Sequence, residues 1–269
     1  MNISGAKVLL TGASGGIGSA IAHELTVRGA ELILVGRDAA KLERLATELK
    51  GHGARSTQEL VADIGDPDAA QRLVAEALQR SGGIDILINC AGVQNFGFFA
   101  NESAQDMATL LHVNTIAPLI LTNAVLPHML ANRRGQIVNV GSIFGSIGFP
   151  YFASYSASKF ALRGFSEALR RELTGTGIGV TYVAPRFTKT AFNGDAVKRM
   201  ADALKMNQDD PQTVAASVIA AIQADGHNRY LGWPEKFFVR INSLLPRLVD
   251  GSLKKQADQM RPFATPQGE

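Results

Sequence analysis

The segment Lys7-Val-Leu-Leu-Thr11 runs without a break into Gly12-Ala-Ser-Gly-Gly16-Ile-Gly18, and that turn runs into an apolar-periodic stretch over residues 19–28. A buried strand, a glycine-rich turn and a helix start, in that order, leave few folds open. Glycines let a backbone approach a ligand closely, and the free N–H groups of a helix start attract an anion, so the arrangement predicts a dinucleotide-phosphate site at the front of an α/β sheet. The spacing is Gly-x-x-x-Gly-x-Gly, and no Gly-Lys-Ser/Thr follows, which excludes a nucleoside-triphosphate loop. Candidate phosphate contacts are Gly12, Ser14, Gly16, Ile17 and Gly18.

The rest of the chain keeps alternating. Residues 31–35 read as a second strand, ending in Gly36, Arg37 and Asp38. At this place an acidic residue binds the adenosine ribose, whereas an Arg accommodates a 2′-phosphate. Arg37 follows the small Gly36 and favours NADP(H). Asp38 keeps NAD(H) open, and it equally suits the N-cap of a helix over residues 39–52. A third strand ends near Val61, before Asp63 and Ile64, and Asp66-Pro67 opens the next helix. A fourth strand over residues 84–88 ends in Asn89-Cys-Ala-Gly92, at the carboxyl edge where open α/β sheets bind ligands. Asn89 is there a ligand contact or an ordinary strand-end cap.

Residues 94–100, rich in Phe and Gly, are a candidate pocket wall, and residues 104–130 carry a long helical pattern. Asn114 interrupts that pattern; Asn competes for backbone groups in mid-helix, which predicts a kink, a task or a solvated side chain. A fifth strand over residues 135–140 ends in Gly141-Ser142, followed by a Phe-rich loop over residues 144–152. The next helix bears Tyr155 and Lys159. A sixth strand precedes Pro185-Arg-Phe-Thr-Lys-Thr190, a helix spans residues 211–223, and residues 229–232 form a last strand. No linker or repeat divides the alternation, so residues 1–232 predict one doubly wound parallel sheet of Rossmann type.

With 269 residues, 46% hydrophobic and 19% charged, the chain suits one large α/β domain. The single cysteine, Cys90, allows no internal disulfide and no Cys-rich metal site, so no metal is expected. The first residues show no secretory pattern and no uninterrupted apolar run is long enough for a bilayer, which points to the cytoplasm. The net charge of +3 is spread along the chain and gives no reason to expect nucleic acid.

Tyr155 and Lys159 stand one helical turn apart on one face. A Lys ammonium near a phenol favours the phenolate, so the Tyr155 pKa is expected to fall toward neutrality, as a proton-transferring tyrosine requires. Residues 233–269 form an extension in which Phe237, Phe238, Ile241, Leu244, Leu245, Leu248 and Val249 share a predicted helical face, with Lys236, Arg240, Arg247, Lys254 and Lys255 beside it. Pro246 breaks or bends this helix. The face is expected to pack on its own domain; a partner subunit or a membrane surface stays open.

Thr11 to Gly18, Asp63, Asn89-Cys-Ala-Gly92, Asn114, Ser142 and Tyr155-Ser-Ala-Ser-Lys159, in this order, resemble the motifs of the short-chain dehydrogenases/reductases over residues 7–232. The resemblance implies hydride transfer between NAD(P)H and a carbonyl/alcohol pair. By matching position, Tyr155 would move the proton, Ser142 would hold the substrate oxygen, and Lys159 would hold the nicotinamide ribose and lower the Tyr155 pKa. Asn114 would help hold a water feeding Lys159. Asp63 and Ile64 would flank the adenine; Asn89, Ala91 and Gly92 would lie beside the cofactor; and Pro185, Thr188 and Thr190 would border the nicotinamide and phosphates. It also implies a homodimer or homotetramer through the helices around Asn114 and Tyr155. Cys90 stands where the family often has a second Asn, Arg186 where Gly is common, and Gly15 where NADP-linked members often carry a basic residue. The Phe-rich loops predict a hydrophobic small-molecule carbonyl or alcohol. The competing reading is a dinucleotide-binding regulator without catalysis.

Overall fold

The computed structural model describes residues 1–224 and 227–265; the last four residues of the C-terminal extension lie outside them. Short, almost continuously apolar strands need cover on both faces, and helices supply it. In chain order the elements begin β1 (Lys7–Thr11), α1 (Gly16–Val27), β2 (Glu31–Gly36), α2 (Ala39–Gly51), β3 (Ser56–Val61), α3 (Pro67–Ser81) and β4 (Ile86–Asn89). They continue with α4 (Ala104–Leu111), α5 (Ala117–Asn132), β5 (Gly135–Val140), α6 (Ala153–Glu172) and β6 (Ile178–Ala184). Last come α7 (Asp195–Ala203), α8 (Pro211–Gln223), β7 (Asn228–Tyr230), α9 (Glu235–Leu244) and α10 (Pro246–Ala264). Helix starts follow the sequence signals: Asp38 caps α2 by accepting the Lys41 N–H at 3.0 Å, and Asp66 caps α3 ahead of Pro67.

The strands form one seven-stranded parallel sheet among the described residues, ordered β3-β2-β1-β4-β5-β6-β7. One face is sealed by Ile21 and Leu25 of α1, Leu42 and Leu49 of α2, and Val218 and Ile222 of α8. The other is sealed by Leu73 of α3, Leu121 and Val125 of α5, and Leu169 of α6. Each such buried side chain contributes about 2 kcal/mol. Strand order reverses between β1 and β4, and this switch point opens a crevice at the carboxyl edge. Gly12 and Ala91 meet there: Gly12 has φ +65°, and a Cβ on it would come within 2.7 Å of the Ala91 Cα.

Three features differ from the sequence reading. The helix over Ala104–Asn132 is continuous, and by length and composition it is apolar enough to cross a membrane. Half of its most apolar window is buried, so much of that apolarity serves the core. The helix α7 was not anticipated, although Val197, Met200, Ala201 and Leu204 repeat at helical spacing. The C-terminal extension is two helices, because Pro246 starts α10 instead of bending a single one. Its predicted apolar face is also only partly inward. Val239 and Val249 are buried and Ile241 and Leu253 pack beside them, while Phe237, Phe238, Leu244, Leu245 and Leu248 are exposed together with Trp233.

Candidate active site

At the start of α1 no side chain caps the helix and no acidic residue sits in its first turn, so the leading N–H groups and the positive end of the dipole are left for an anion. The turn is closely packed. The Thr11 hydroxyl accepts the N–H groups of Cys90 and Ala91 at 3.1 and 3.2 Å, tying β1 to the end of β4. A Cβ on Gly16 would meet the Thr190 methyl at 2.5 Å, so the chain after β6 lies directly over the glycine turn. Arg37 is exposed and enters no ion pair among the described residues. Asp38 is engaged in its cap and a 3.4 Å ion pair with Lys41, and the cap hydrogen bond leads the causes that hold its carboxyl below the usual range. The Ile64 side chain is buried in the core, so of the two residues expected beside an adenine only Asp63 is exposed.

The Asn89 side chain faces into the sheet. It is buried there, where its amide donates to Asn139 at 2.8 Å, and Asn139 donates to Ser166 at 2.8 Å. This polar chain joins β4, β5 and α6; the Asn89 carboxamide oxygen has no partner in it. Thr188 is also turned inward, its hydroxyl donating to the Arg186 carbonyl at 3.1 Å, which leaves Thr190 nearer the crevice.

Four polar residues converge further along the edge. Asn114 lies in a π-helical turn, His112–Ile116, between α4 and α5, so the predicted kink is a widened turn. Its amide donates to the Val93 carbonyl at 2.8 Å and to the Ser158 hydroxyl at 3.1 Å, and its oxygen accepts the Val93 N–H at 2.9 Å. The carboxamide is therefore largely used in clamping the chain after β4 to α6, leaving one oxygen lone pair for a water. Lys159 is buried, and its ammonium donates to the Val140 carbonyl at 3.3 Å. A Cβ on Gly92 would lie 3.2 Å from the Asn114 oxygen and 3.7 Å from the Lys159 Nζ, so both groups border the space that this glycine leaves. Ser142 follows β5, and its Oγ accepts the Phe144 N–H at 3.1 Å, which leaves its own proton free to donate.

The expected depression of the Tyr155 pKa does not hold in this site. Burial pushes the phenol up to about 12, against the pull of its hydrogen bond with Ser142. Lys159 Nζ is 5.7 Å from the Tyr155 ring centre, and burial pushes its own ammonium down to about 8, against the smaller raising effect of Cys90. Desolvation outweighs the Ser142 hydrogen bond at Tyr155 and the Cys90 charge at Lys159. Tyr155 is thus a protonated acid at neutral pH, and Lys159 is the group that titrates near it.

Aromatic side chains wall the space around Tyr155. Phe144 stacks on Phe149 at 4.2 Å and meets Tyr155 edge-on at 5.8 Å, while Phe152 and Phe192 lie 6.4 and 6.3 Å from the Tyr155 ring. Val197 and Met200 of α7 and Met260 of α10 are buried in the same cluster, with Phe263 beside them. The sequence reading missed these contributors; the helical spacing within α7 was the available signal, whereas nothing local announces where α10 docks. A groove of about 750 Å³ opens beside this wall, lined by Phe96, Phe98, Glu102, Tyr151, Arg199 and Phe263.

The profile of the family described as short chain dehydrogenase matches residues 6–201. The chain belongs to the short-chain dehydrogenases/reductases. As a member it is an NAD(P)-dependent oxidoreductase of the class acting on CH–OH groups. Hydroxysteroid 11-beta-dehydrogenase 1-like protein A of Xenopus laevis is 34% identical over 253 residues, covering 92% of this chain and 85% of the relative. Nodulation protein G of Rhizobium meliloti (strain 1021) is 36% identical over 233 residues, covering 85% of this chain and 93% of the relative. A short-chain dehydrogenase/reductase from Burkholderia phymatum, solved in complex with NAD, superposes with a TM-score of 0.84 at 25% identity, covering 93% of this chain and 96% of that one. A metagenomic short-chain oxidoreductase in complex with NADP gives 0.72 at 31% identity, covering 86% and 97%.

Two departures from the short-chain dehydrogenase/reductase pattern have local explanations. Cys90 packs against the core, and burial pushes its thiol up to about 12, so it behaves as a small apolar residue. Arg186 pairs with Asp209 at 2.8 Å and Glu235 at 3.2 Å and donates to the Trp233 carbonyl at 3.1 Å, fastening the start of α9 to the end of β6. Gly232, at φ +86°, lets it pass: a Cβ there would come within 2.6 Å of the Arg186 Cδ.

Proposed function

We propose that this protein is an NADP(H)-dependent carbonyl reductase/alcohol dehydrogenase for hydrophobic substrates. The observation that carries the reading is the buried Tyr155 phenol, one helical turn from the buried Lys159 and walled by aromatic rings. Residues 1–232 carry the chemistry, and Met260 and Phe263 of α10 add to the wall from outside the sheet.

The residues suit a dinucleotide. The uncapped start of α1 would hold the pyrophosphate, Thr190 would close over it, and the unpaired Arg37 would meet a 2′-phosphate. The bound cofactor supplies the hydride in reduction and accepts it in oxidation. The chain's own residues handle the proton and the oxygen. Ser142 donates a hydrogen bond to the substrate carbonyl oxygen, where negative charge develops. Tyr155 gives its phenolic proton to that oxygen, and takes one back from an alcohol in the reverse direction. Lys159 keeps a positive charge near the resulting phenolate, and Asn114 fixes the backbone at Val93 that borders the site. The ring cluster excludes water, which strengthens these interactions.

The deciding measurement is NADPH oxidation across a panel of carbonyls. Bulky apolar carbonyls are expected to turn over and short polar ones poorly. Tyr155→Phe is expected to lower turnover by about 10²- to 10⁴-fold with NADPH binding retained. A wild-type chain that binds NADPH yet reduces nothing in a broad panel is a regulator. Arg37→Ala is expected to cut kcat/KM for NADPH by about tenfold or more, a lost charged hydrogen bond, with NADH kinetics spared.

A further inference from the structure

On the face of the sheet away from Tyr155, α1 and α2 bring together His23, Glu48 and His52. One donor atom from each lies within 4.8 Å of the others, and His23 Nε2 stands 3.2 Å from a Glu48 carboxylate oxygen. We propose that this triad is a binding site for a divalent transition cation of the zinc class, a clip between the phosphate-binding helix and its neighbour.

Ligand type and geometry both point to such an ion. Two imidazoles and one carboxylate form a borderline donor set that suits zinc, whereas calcium and magnesium take oxygen-rich cages. Bonds of about 2.0–2.1 Å in a tetrahedron place neighbouring donors roughly 3.3 Å apart. The His23–Glu48 separation already matches that edge, and water would fill the fourth corner. Glu48 and His52 are four residues apart at the end of α2, so they share one helix face. His52 is also oriented: its Nδ1 lies 2.8 Å from the Glu48 carbonyl oxygen. A carbonyl only accepts, so Nδ1 carries the proton and Nε2 keeps its lone pair, the tautomer a ligating histidine needs. The two rings lie edge to face with centres 5.3 Å apart, close enough for small side-chain rotations to bring both nitrogens onto one ion. Glu48 and His52 are exposed and His23 is half-buried, which gives an ion a route in from solvent.

The test uses the full chain stripped of metal by chelator and titrated with Zn²⁺. One Zn²⁺ per chain is expected, with a rise in the thermal midpoint. His23→Ala and His52→Asn are each expected to weaken binding at least about tenfold, since even loss of a supporting contact to a ligand has that effect. Both variants should abolish the Zn²⁺-dependent rise while matching the wild-type circular dichroism and metal-free midpoint. Co²⁺ in place of Zn²⁺ should give the strong visible absorption of four-coordinate cobalt, lost in both variants. No Zn²⁺ binding by the wild-type chain, or equal Zn²⁺ affinity in the wild type and both folded variants, overturns the proposal.

Discussion

Lys159 is the buried residue beside Tyr155 whose charge state changes closest to neutral pH. Burial favours its neutral form and brings its pKa down to about 8, so the ammonium loses its proton as pH rises through that value. Tyr155 keeps its proton far beyond this range, at about 12, so the phenol itself does not titrate between pH 7 and 10. Carbonyl reduction is therefore expected to fall as pH rises through about 8, with Lys159 as its origin. Lys159→Arg retains a positive charge that cannot be titrated away. Whatever activity it keeps should show no decline near pH 8; an unchanged alkaline limb in a pH–rate profile would assign that limb to another group. Sequence spacing placed Tyr155 and Lys159 on one helix face but gave the wrong direction for the phenol. Spacing carries the sign of a charge, not the desolvation that opposes it, and desolvation is set by how Phe144, Phe152 and the distant Phe192 close on the phenol in the folded chain.

Elements here are joined by a few polar clamps, and Arg186 makes the most consequential one. It is only 18% exposed and satisfies Asp209, itself 10% exposed, together with Glu235 at the start of α9. Arg186→Ala leaves Asp209 with an uncompensated, nearly buried charge and is expected to cost about 3 kcal/mol. The check is denaturant unfolding combined with hydrogen exchange, in which the amides of α9 should lose protection before those of the sheet. Uniform loss of protection across the sheet would show that Arg186 supports the core instead. The residue was visible in the sequence only as a replacement for a common glycine. Its purpose depends on Asp209 and Glu235, which no local pattern connects to it. Asn89 shows the opposite limit: its strand-end position suggested a ligand contact, and the register that sets it opposite Asn139 turned it inward.

Among the described residues, two groups of exposed apolar side chains stand on different elements. Trp233, Phe237, Phe238, Leu244, Leu245 and Leu248 stand out from α9, the start of α10 and the residue before them, with the exposed cations Lys236, Arg240 and Arg247 at their flank. Apolar anchors beside basic side chains suit the interface of an anionic bilayer. The same helix α10 that carries Leu248 also lends Met260 to the ring cluster around Tyr155. Co-sedimentation with anionic vesicles is expected, reduced by Phe237→Ser with Leu248→Ser and weakened by salt; equal binding to neutral vesicles at high salt would remove the role of the basic flank. Leu111, Ile116 and Phe160 are exposed on α4, the π-helical turn and α6, where a second copy would cover them. Phe160→Glu is expected to shift the chain from dimer or tetramer toward monomer in sedimentation.

The sequence by itself determined the order of the strands and of the helices between them except α7, the glycine turn after β1 and the family. Those depend on local periodicity, on caps and on backbone freedom, which neighbours in the chain decide. Tertiary structure decided which way Asn89 and Thr188 turn and how far burial moves the Tyr155 and Lys159 protons. It also decided that α7 and α10 finish the aromatic wall and that His23 meets Glu48 and His52. Each of these depends on desolvation or on contacts between residues far apart in the chain, and both come into being only when the sheet and its helices close on one another.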